Sequence, residues 1–186
     1  SLRTLFLGSL VRDISPLRDL LALLELRGLF ASERPDVVHT HSSKAGVIGR
    51  LAAAMAGVPV IVHTYHGFGF HDRQNPFVKA VYVLLERLCA LVTTRLVFVS
   101  HANQAYAVRH RIRGAAGGVV IRSGIRLRDF PAEVDAVALK TSVGIGMHKP
   151  LIVSIGNLKP QKNAGDFVAA AAKAAEPTPE AHFVFL

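Results

Sequence analysis

Between Asp36 and Val62 the sequence passes from a short β-branched run through a helical pattern and a glycine to a second β-branched run. That order leaves few folds open. The first run, Asp36-Val-Val-His-Thr-His41, is too short for a helix and is bounded upstream by Arg34-Pro35. Ser42 and Ser43 are suited to cap the segment that follows. In it Ala45, Ile48, Leu51, Ala52 and Met55 share one helical face until Gly57 stops the helix. Pro59 and Val60 to Val62 then start a second strand. Strand, capped helix, glycine and strand make up the βαβ unit of a parallel sheet, because parallel neighbours need a crossover of about a dozen residues or more.

The same grammar extends in both directions. Upstream, Ser15-Pro16 starts a helix carrying Leu17, Leu20, Leu21 and Leu24, which is expected to end near Gly28 or shortly after. Downstream, Phe77, Val78, Val81, Leu84, Leu85, Leu88 and Val92 trace another helix, and Arg95 to Ser100 a third strand. A polar helix over Ala102 to Ile112 and a short strand Val119 to Ile121 complete a Rossmann-like parallel sheet with helices on both faces. We expect this N-terminal domain to cover residues 1–131 and a connection to occupy 132–149. Residues 150–186 are expected to open a second Rossmann-like domain, of which one βαβ unit is present: Leu151 to Ile155, a helix to about Ala175, and His182 to Leu186. The chain starts at Ser1 rather than Met, so the sequence is expected to be part of a longer protein.

Composition narrows the class. With 51% hydrophobic and 19% charged residues, the chain has the makings of a sizeable core and not of a disordered segment. The longest leucine-rich stretch, Leu17 to Phe30, is interrupted by Arg18, Asp19, Glu25 and Arg27, which argues against a membrane span. The single cysteine, Cys89, excludes an intrachain disulfide and falls among apolar helical residues, where a buried thiol is expected. A formal charge of +9 favours anionic partners. Arg109, Arg111, Arg113, Arg122, Arg126 and Arg128 fall in a stretch from Ala102 to Arg128 with no acidic residue.

The chemistry-bearing residues gather at strand ends. His39, His41, His63, His66, Ser100 and His101 stand there, and the loop Gly67-Phe-Gly-Phe-His71 adds His71. In an open parallel sheet, ligands bind at the carboxyl ends of the strands. His66, with Gly67 beside it giving the backbone room, is the first candidate for a reacting group. A zinc site is disfavoured, because no carboxylate or cysteine falls at a ligand spacing and no His-Glu-x-x-His is present. A neutral imidazole can instead hydrogen-bond a hydroxyl or carry a proton. The helix start Ser42-Ser43-Lys44-Ala-Gly46 offers free amides and a lysine to an anion, without the order of a Walker loop. Gly156 to Lys162, with Lys159 and Lys162, is a parallel case in the second domain.

Taken together, several segments resemble the nucleotide-sugar glycosyltransferases of family 4, which have the two-domain GT-B architecture. They are Arg34-Pro-Asp-Val-Val-His-Thr-His-Ser-Ser-Lys-Ala-Gly46, His63-Thr-Tyr-His-Gly-Phe68, Phe98-Val-Ser100, Val120-Ile-Arg-Ser-Gly-Ile125 with Phe130, and Ser154-Ile-Gly-Asn-Leu-Lys-Pro-Gln-Lys162. The resemblance implies retaining transfer of a sugar from a nucleotide-diphosphate donor to an acceptor, in a cleft between two Rossmann-like domains, in cell-surface polysaccharide or glycolipid synthesis. It implies that His66 faces the transferred sugar and is the catalytic residue. His41, Ser42, Ser43, Lys44 and Gly46 would lie on the acceptor side, while Lys162 and Asn157 would hold the donor diphosphate. Asn157 replaces the arginine usual in the family, which removes a charge and a bidentate fork, and Arg126 stands where aspartate is common.

No cofactor or metal is expected, because the nucleotide sugar is itself a substrate. The implied partners are that donor, an acceptor that is a lipid-linked sugar, and an anionic membrane surface met by the Arg109 to Arg128 region, with a cytoplasmic, peripheral location. No nucleic acid is expected. Two other readings stay open on the sequence. A basic nucleic-acid-binding module would use the +9 charge, although its arginines are not interleaved with aromatics. A GT-B nucleotide-sugar epimerase would share the fold but should carry carboxylates where these strand ends carry histidines and hydroxyls. The glutamate pair that grips the donor in the family, and its first strand with a glycine-rich loop, are not in the sequence, so the chain alone is expected to be inactive.

Overall fold

A computed structural model describes residues 3–130, 133, 135–158 and 162–186. The chain divides into two compact units, Ser1–Ile125 and Arg126–Leu186.

In the first unit the elements run α1 (Pro16–Glu33), β1 (Val37–His41), α2 (Ser43–Met55), β2 (Val60–Tyr65), α3 (Pro76–Leu91), β3 (Arg95–Phe98), α4 (His101–Arg109) and β4 (Val119–Val120). The four strands form one parallel sheet in chain order, β1-β2-β3-β4, flanked by helices. Its register pairs His39 with Val62, Thr40 with His63 and His41 with Thr64. On β3, Val97 faces Thr64 and Phe98 faces Tyr65. Each crossover therefore returns the chain to the same end of the sheet, and the loops after β1 and β2 emerge side by side.

Several expectations change in detail. Helix α1, expected to end near Gly28 or shortly after, continues five residues past it to Glu33, and Arg34 then takes a left-handed conformation with φ of 47°. Nothing packs within 4 Å of where a Gly28 side chain would stand, so the glycine costs the helix propensity without breaking it. Ser42 precedes α2 with φ of 65° and makes no side-chain cap, contrary to the capping expected of it. The buried side of α2 is Gly46, Ile48, Gly49, Arg50, Ala52 and Ala53, whereas Met55 is exposed. Small residues face inward here because strand side chains approach closely. A Cβ on Gly49 would stand 2.9 Å from Thr40 Cγ2.

The core lies under β2 and β3. Tyr65, Phe70, Val83, Ala90, Leu96, Phe98, Ala107, Ile112 and Ala115 form its main cluster. Cys89 is buried and unpaired, as a structural thiol should be. Helix α3 is capped by Asn75, whose side chain accepts from the Phe77 and Val78 amides, and Pro76 fits the first turn. Its outward face stays apolar: Phe77, Val81, Leu84, Leu88 and Leu91 are all exposed.

The second unit has a 3₁₀ turn at Leu127–Asp129, α5 (Ala136–Ser142), β5 (Leu151–Ser154), α6 (Ala164–Ala175) and β6 (His182–Phe185). β5 and β6 pair in parallel, Leu151 with His182 through Ser154 with Phe185, so β5-α6-β6 is a βαβ unit.

Candidate functional site

The loop after β2 is built by alternation. Phe68 turns inward and stacks on Tyr65 at 4.8 Å between ring centroids, and lies 5.0 Å from Tyr106. Phe70 is 2% exposed. Pinned by these two rings, the loop leaves His66 exposed at the sheet edge. The glycine that the packing requires is Gly69 and not Gly67. A Cβ on Gly69 would stand 3.0 Å from Ser43 Cβ and 3.2 Å from Tyr82 Cε1, whereas Gly67 faces open space. The expected role of Gly67 as a space-maker therefore belongs to Gly69.

His66 does not stand alone. Its Nε2 lies 3.0 Å from Nδ1 of His41, sharing a hydrogen bond across the two strand ends. The His41 ring in turn lies 4.3 Å from that of His39, and His39 Nε2 is 2.7 Å from Thr64 Oγ1. Three imidazoles thus form a row along the rim. Burial, then the neighbouring rings of His39 and His66, hold His41 below the usual imidazole range. His39 and His41 also line an open cavity of about 430 Å³ beside β1, with Leu26, Phe30 and Gly49. No group of three or more potential metal ligands occurs among the described residues.

His63, three residues before His66, faces inward and is 1% exposed. It shares a hydrogen bond with Thr40 Oγ1 at 2.9 Å. Its pKa is pushed down to about 3, first by burial and then by the Arg50 guanidinium and the rings of His41 and His39. It is a neutral structural imidazole at any physiological pH. Gly46 exists for it, since a Cβ there would come within 2.4 Å of His63 Cε1. The Gly46 amide donates to Ser42 O, and its carbonyl accepts from Arg50 Nε. Gly46 thus makes room for the His63 ring, with its amide and carbonyl each already in one hydrogen bond.

Beneath His63 lies a network that sequence reasoning missed. Arg50, with no exposed surface, donates from Nη2 to Glu86 Oε2 at 2.7 Å, and Tyr65 Oη donates to the same oxygen at 2.7 Å. Burial alone would push the Arg50 pKa down, but Glu86 and its neighbours more than reverse this, and Arg50 stays charged. The signal was present in the sequence. An arginine on the apolar side of one helix and a glutamate inside another's hydrophobic stretch are a candidate buried pair.

The anion site expected at the start of α2 is altered. Lys44 Nζ is not free. It pairs with the Asp19 carboxylate and donates to the carbonyls of Val11 and Asp13, tying the N-terminal segment to α2. Ser42 is exposed, and Ser43 lines a cavity of about 210 Å³ with Ile14, Val47, Tyr82 and Leu85. Ser100 is committed as the cap of α4, accepting from the Asn103 amide at 3.1 Å. His101 lies in the first turn of α4, and His71, past the Phe68 and Phe70 anchors, takes no part in the imidazole row.

In the second unit, Asn157 and Lys162 are both exposed. The Lys162 stem packs over Gly156, with Cγ 3.3 Å from where a Cβ would be. Lys159, Pro160 and Gln161 lie outside the described residues, as do Pro131, Ala132 and Val134. Of the basic stretch, Arg109 pairs with Asp72 at 3.1 Å and lies over the Tyr106 ring, while Arg126 and Arg128 flank Asp129.

Comparison with known proteins identifies the family and the fold. Residues 5–124 match the family described as glycosyl transferase 4-like domain. The chain is 37% identical over 172 residues to an Escherichia coli UDP-Gal:alpha-D-GlcNAc-diphosphoundecaprenol alpha-1,3-galactosyltransferase, which covers 92% of the chain and 44% of that enzyme. It is 30% identical over 101 residues to the capsular polysaccharide biosynthesis glycosyltransferase CapM of Staphylococcus aureus, covering 54% of the chain and 25% of CapM. The chain thus spans less than half the length of these relatives. In fold it is similar to Anabaena Alr3699/HepE, solved with UDP-glucose, at a TM-score of 0.70 and 18% identity, covering 92% of the chain and 44% of HepE. A UDP-GlcNAc 2-epimerase from Neisseria meningitidis aligns at 0.56 and 13% identity, over 95% of the chain and 49% of that protein.

Proposed function

The chain belongs to the glycosyl transferase 4-like family, and on that premise we propose that it supplies the acceptor-side part of a retaining glycosyltransferase. The enzyme transfers a hexose from a nucleotide-diphosphate donor to a lipid-linked sugar in cell-surface polysaccharide synthesis. In this reaction the bond between sugar C1 and the diphosphate oxygen breaks, a bond from C1 to the acceptor oxygen forms, the acceptor hydroxyl loses its proton, and the nucleoside diphosphate departs with the negative charge. The observation that carries the reading is the exposed His66 imidazole, held at the carboxyl edge of a parallel sheet by the Phe68 and Phe70 anchors.

An imidazole so placed can hydrogen-bond a sugar hydroxyl and assist the proton's departure, a contribution worth about 10²-fold or more in such systems. Lys162 and Asn157 serve the diphosphate, Lys162 by charge and Asn157 by hydrogen bonding, in a clamp that lacks the arginine fork. On the acceptor side we assign His41, Ser42 and Ser43. Lys44 and Gly46 support them, one by tethering α2 and the other by making room for His63.

The location we propose is cytoplasmic and peripheral to the membrane. No helix among the described residues is long and apolar enough to cross a bilayer. The exposed apolar face of α3 and the +9 charge together support contact with an anionic lipid surface. Purified protein should sediment with anionic vesicles at low salt, and equal binding to neutral vesicles would rule out this contact.

The test of function is direct. Full-length protein, a panel of nucleotide-diphosphate hexoses and a polyprenyl-diphosphate-linked amino sugar should yield a lipid product heavier by one hexose. A folded protein that turns over none of these donors would overturn the assignment. Conversion of the donor without an acceptor would point to an epimerase instead, although the residues at or just past the ends of β1 to β3 include His41, His66 and Ser100 and no carboxylate.

A further inference from the structure

His41 and His66 reach the rim from neighbouring strands for a reason of register. His41 closes β1 opposite Thr64, and His66 is the first residue past the end of β2. With His41 Nδ1 and His66 Nε2 3.0 Å apart, the contact accommodates one proton between the two nitrogens. Two hydrogens would collide there and none would leave two lone pairs facing. Whichever nitrogen donates, the tautomer of each ring is set by the other. The His66 Nδ1 is then left as the nitrogen without a partner among the described residues, in one defined protonation state.

The His41 ring is itself held. His39 lies 4.3 Å away on one side and is anchored by Thr64 Oγ1 at 2.7 Å, a hydroxyl on a residue only 6% exposed. His41 therefore connects a fixed strand to an exposed loop. We propose that His41 is a positioning residue that sets the ring orientation and tautomer of His66, so that Nδ1 meets the ligand as a donor or an acceptor by construction rather than by chance. The proposal deepens the reading of His66 as the residue facing the transferred sugar and rests on it for its use in catalysis. The pairing itself does not depend on that reading.

Among the described residues, the titratable groups around the pair are His39 on β1 and, further in, His63 on β2, which itself feels the Arg50 guanidinium on α2. All are cationic when charged, so each further proton is opposed. The depressed pKa of His41 agrees with this, burial being the largest cause and the His39 and His66 rings the next.

The experiment is long-range ¹H–¹⁵N spectroscopy of the imidazoles in the labelled chain, with His41→Ala, His41→Asn and His66→Ala, each confirmed as folded by its amide spectrum. In the unaltered chain His66 should show one tautomer. His41→Ala should bring its two nitrogens toward the averaged shifts of a free imidazole. His41→Asn, whose amide falls where Nδ1 stands, should restore the preference, and His66→Ala should raise the His41 midpoint toward 6.5. In the full-length enzyme His41→Ala should lower kcat about tenfold with an unchanged donor KM, and His41→Asn should recover most of it. A His66 spectrum unmoved by His41→Ala overturns the proposal. If instead the tautomer responds while His66→Ala retains full turnover, the pairing stands and the role of His66 in transfer falls.

Discussion

His63 and His66 are three residues apart at the end of one strand, yet they occupy opposite environments. His63 is buried, hydrogen-bonded to Thr40, backed by the Arg50–Glu86–Tyr65 network and kept neutral down to about pH 3. His66 is exposed on a loop whose anchors are two aromatic rings, and its partner is another rim imidazole. Strand alternation sends His63 inward, and the departure from strand geometry after Tyr65 releases His66 outward. The same residue type thus supports a wall in one case and stands open to solvent at the strand ends in the other. Burial and hydrogen-bonding partners decide which.

If the comparison holds, changes to the buried side should cost stability, and changes to the rim should cost activity. The largest effect should come from Glu86→Gln, which leaves the Arg50 charge buried without its counter-charge. A loss of roughly 3–5 kcal/mol is expected in urea unfolding, and a loss under about 1 would mean that the pair is not as buried as described. Gly46→Ala should follow, at about 1–3 kcal/mol, because its methyl would force the His63 ring to move from a 2.4 Å contact.

Acid should expose His63 next. The unfolded chain binds this proton near 6.5 and the folded one only near 3, so the folded state loses stability as pH falls below 6.5, at up to about 1.4 kcal/mol per unit. Comparing urea midpoints of the unaltered chain and His63→Gln from pH 7 to 4 isolates that slope, which should be shallower in the variant. Smallest is Lys44→Ala, which breaks the partly buried pair with Asp19 and should cost about 1 kcal/mol. It should leave the imidazole row intact, and its clearest readout is faster amide exchange at Val11 to Asp13.

The parallel sheet was legible because its evidence is local. β-branched runs, glycines and helical spacing follow directly from backbone preference, and β1, β2 and the β5-α6-β6 unit fall close to where the pattern puts them. The rim histidines were legible for the same reason, since strand ends mark the ligand edge. The residues misjudged were those whose role depends on contacts distant in the chain. Lys44 looked free for an anion, and its engagement with Val11, Asp13 and Asp19 links residues 25 or more apart. Arg50 and Glu86 are 36 apart and drew no expectation, because only the meeting of two helices makes them partners. Ser100 is the exception, misjudged for a local reason: it looked available at a strand end, but capping of α4 three residues on claims it. The glycines show the same limit: which of Gly46, Gly67 and Gly69 is sterically required depends on side chains from other elements.

The most direct measurement is to make His66→Ala in the full-length protein and record turnover and thermal midpoint together, beside His63→Ala. His66→Ala should lower turnover at least about tenfold while the midpoint stays within a degree or two, because an exposed rim residue contributes little to folding. His63→Ala should lower the midpoint by several degrees. Unchanged turnover in His66→Ala with a normal midpoint would mean that the exposed imidazole contributes nothing to the reaction, and the assignment of His66 would fall.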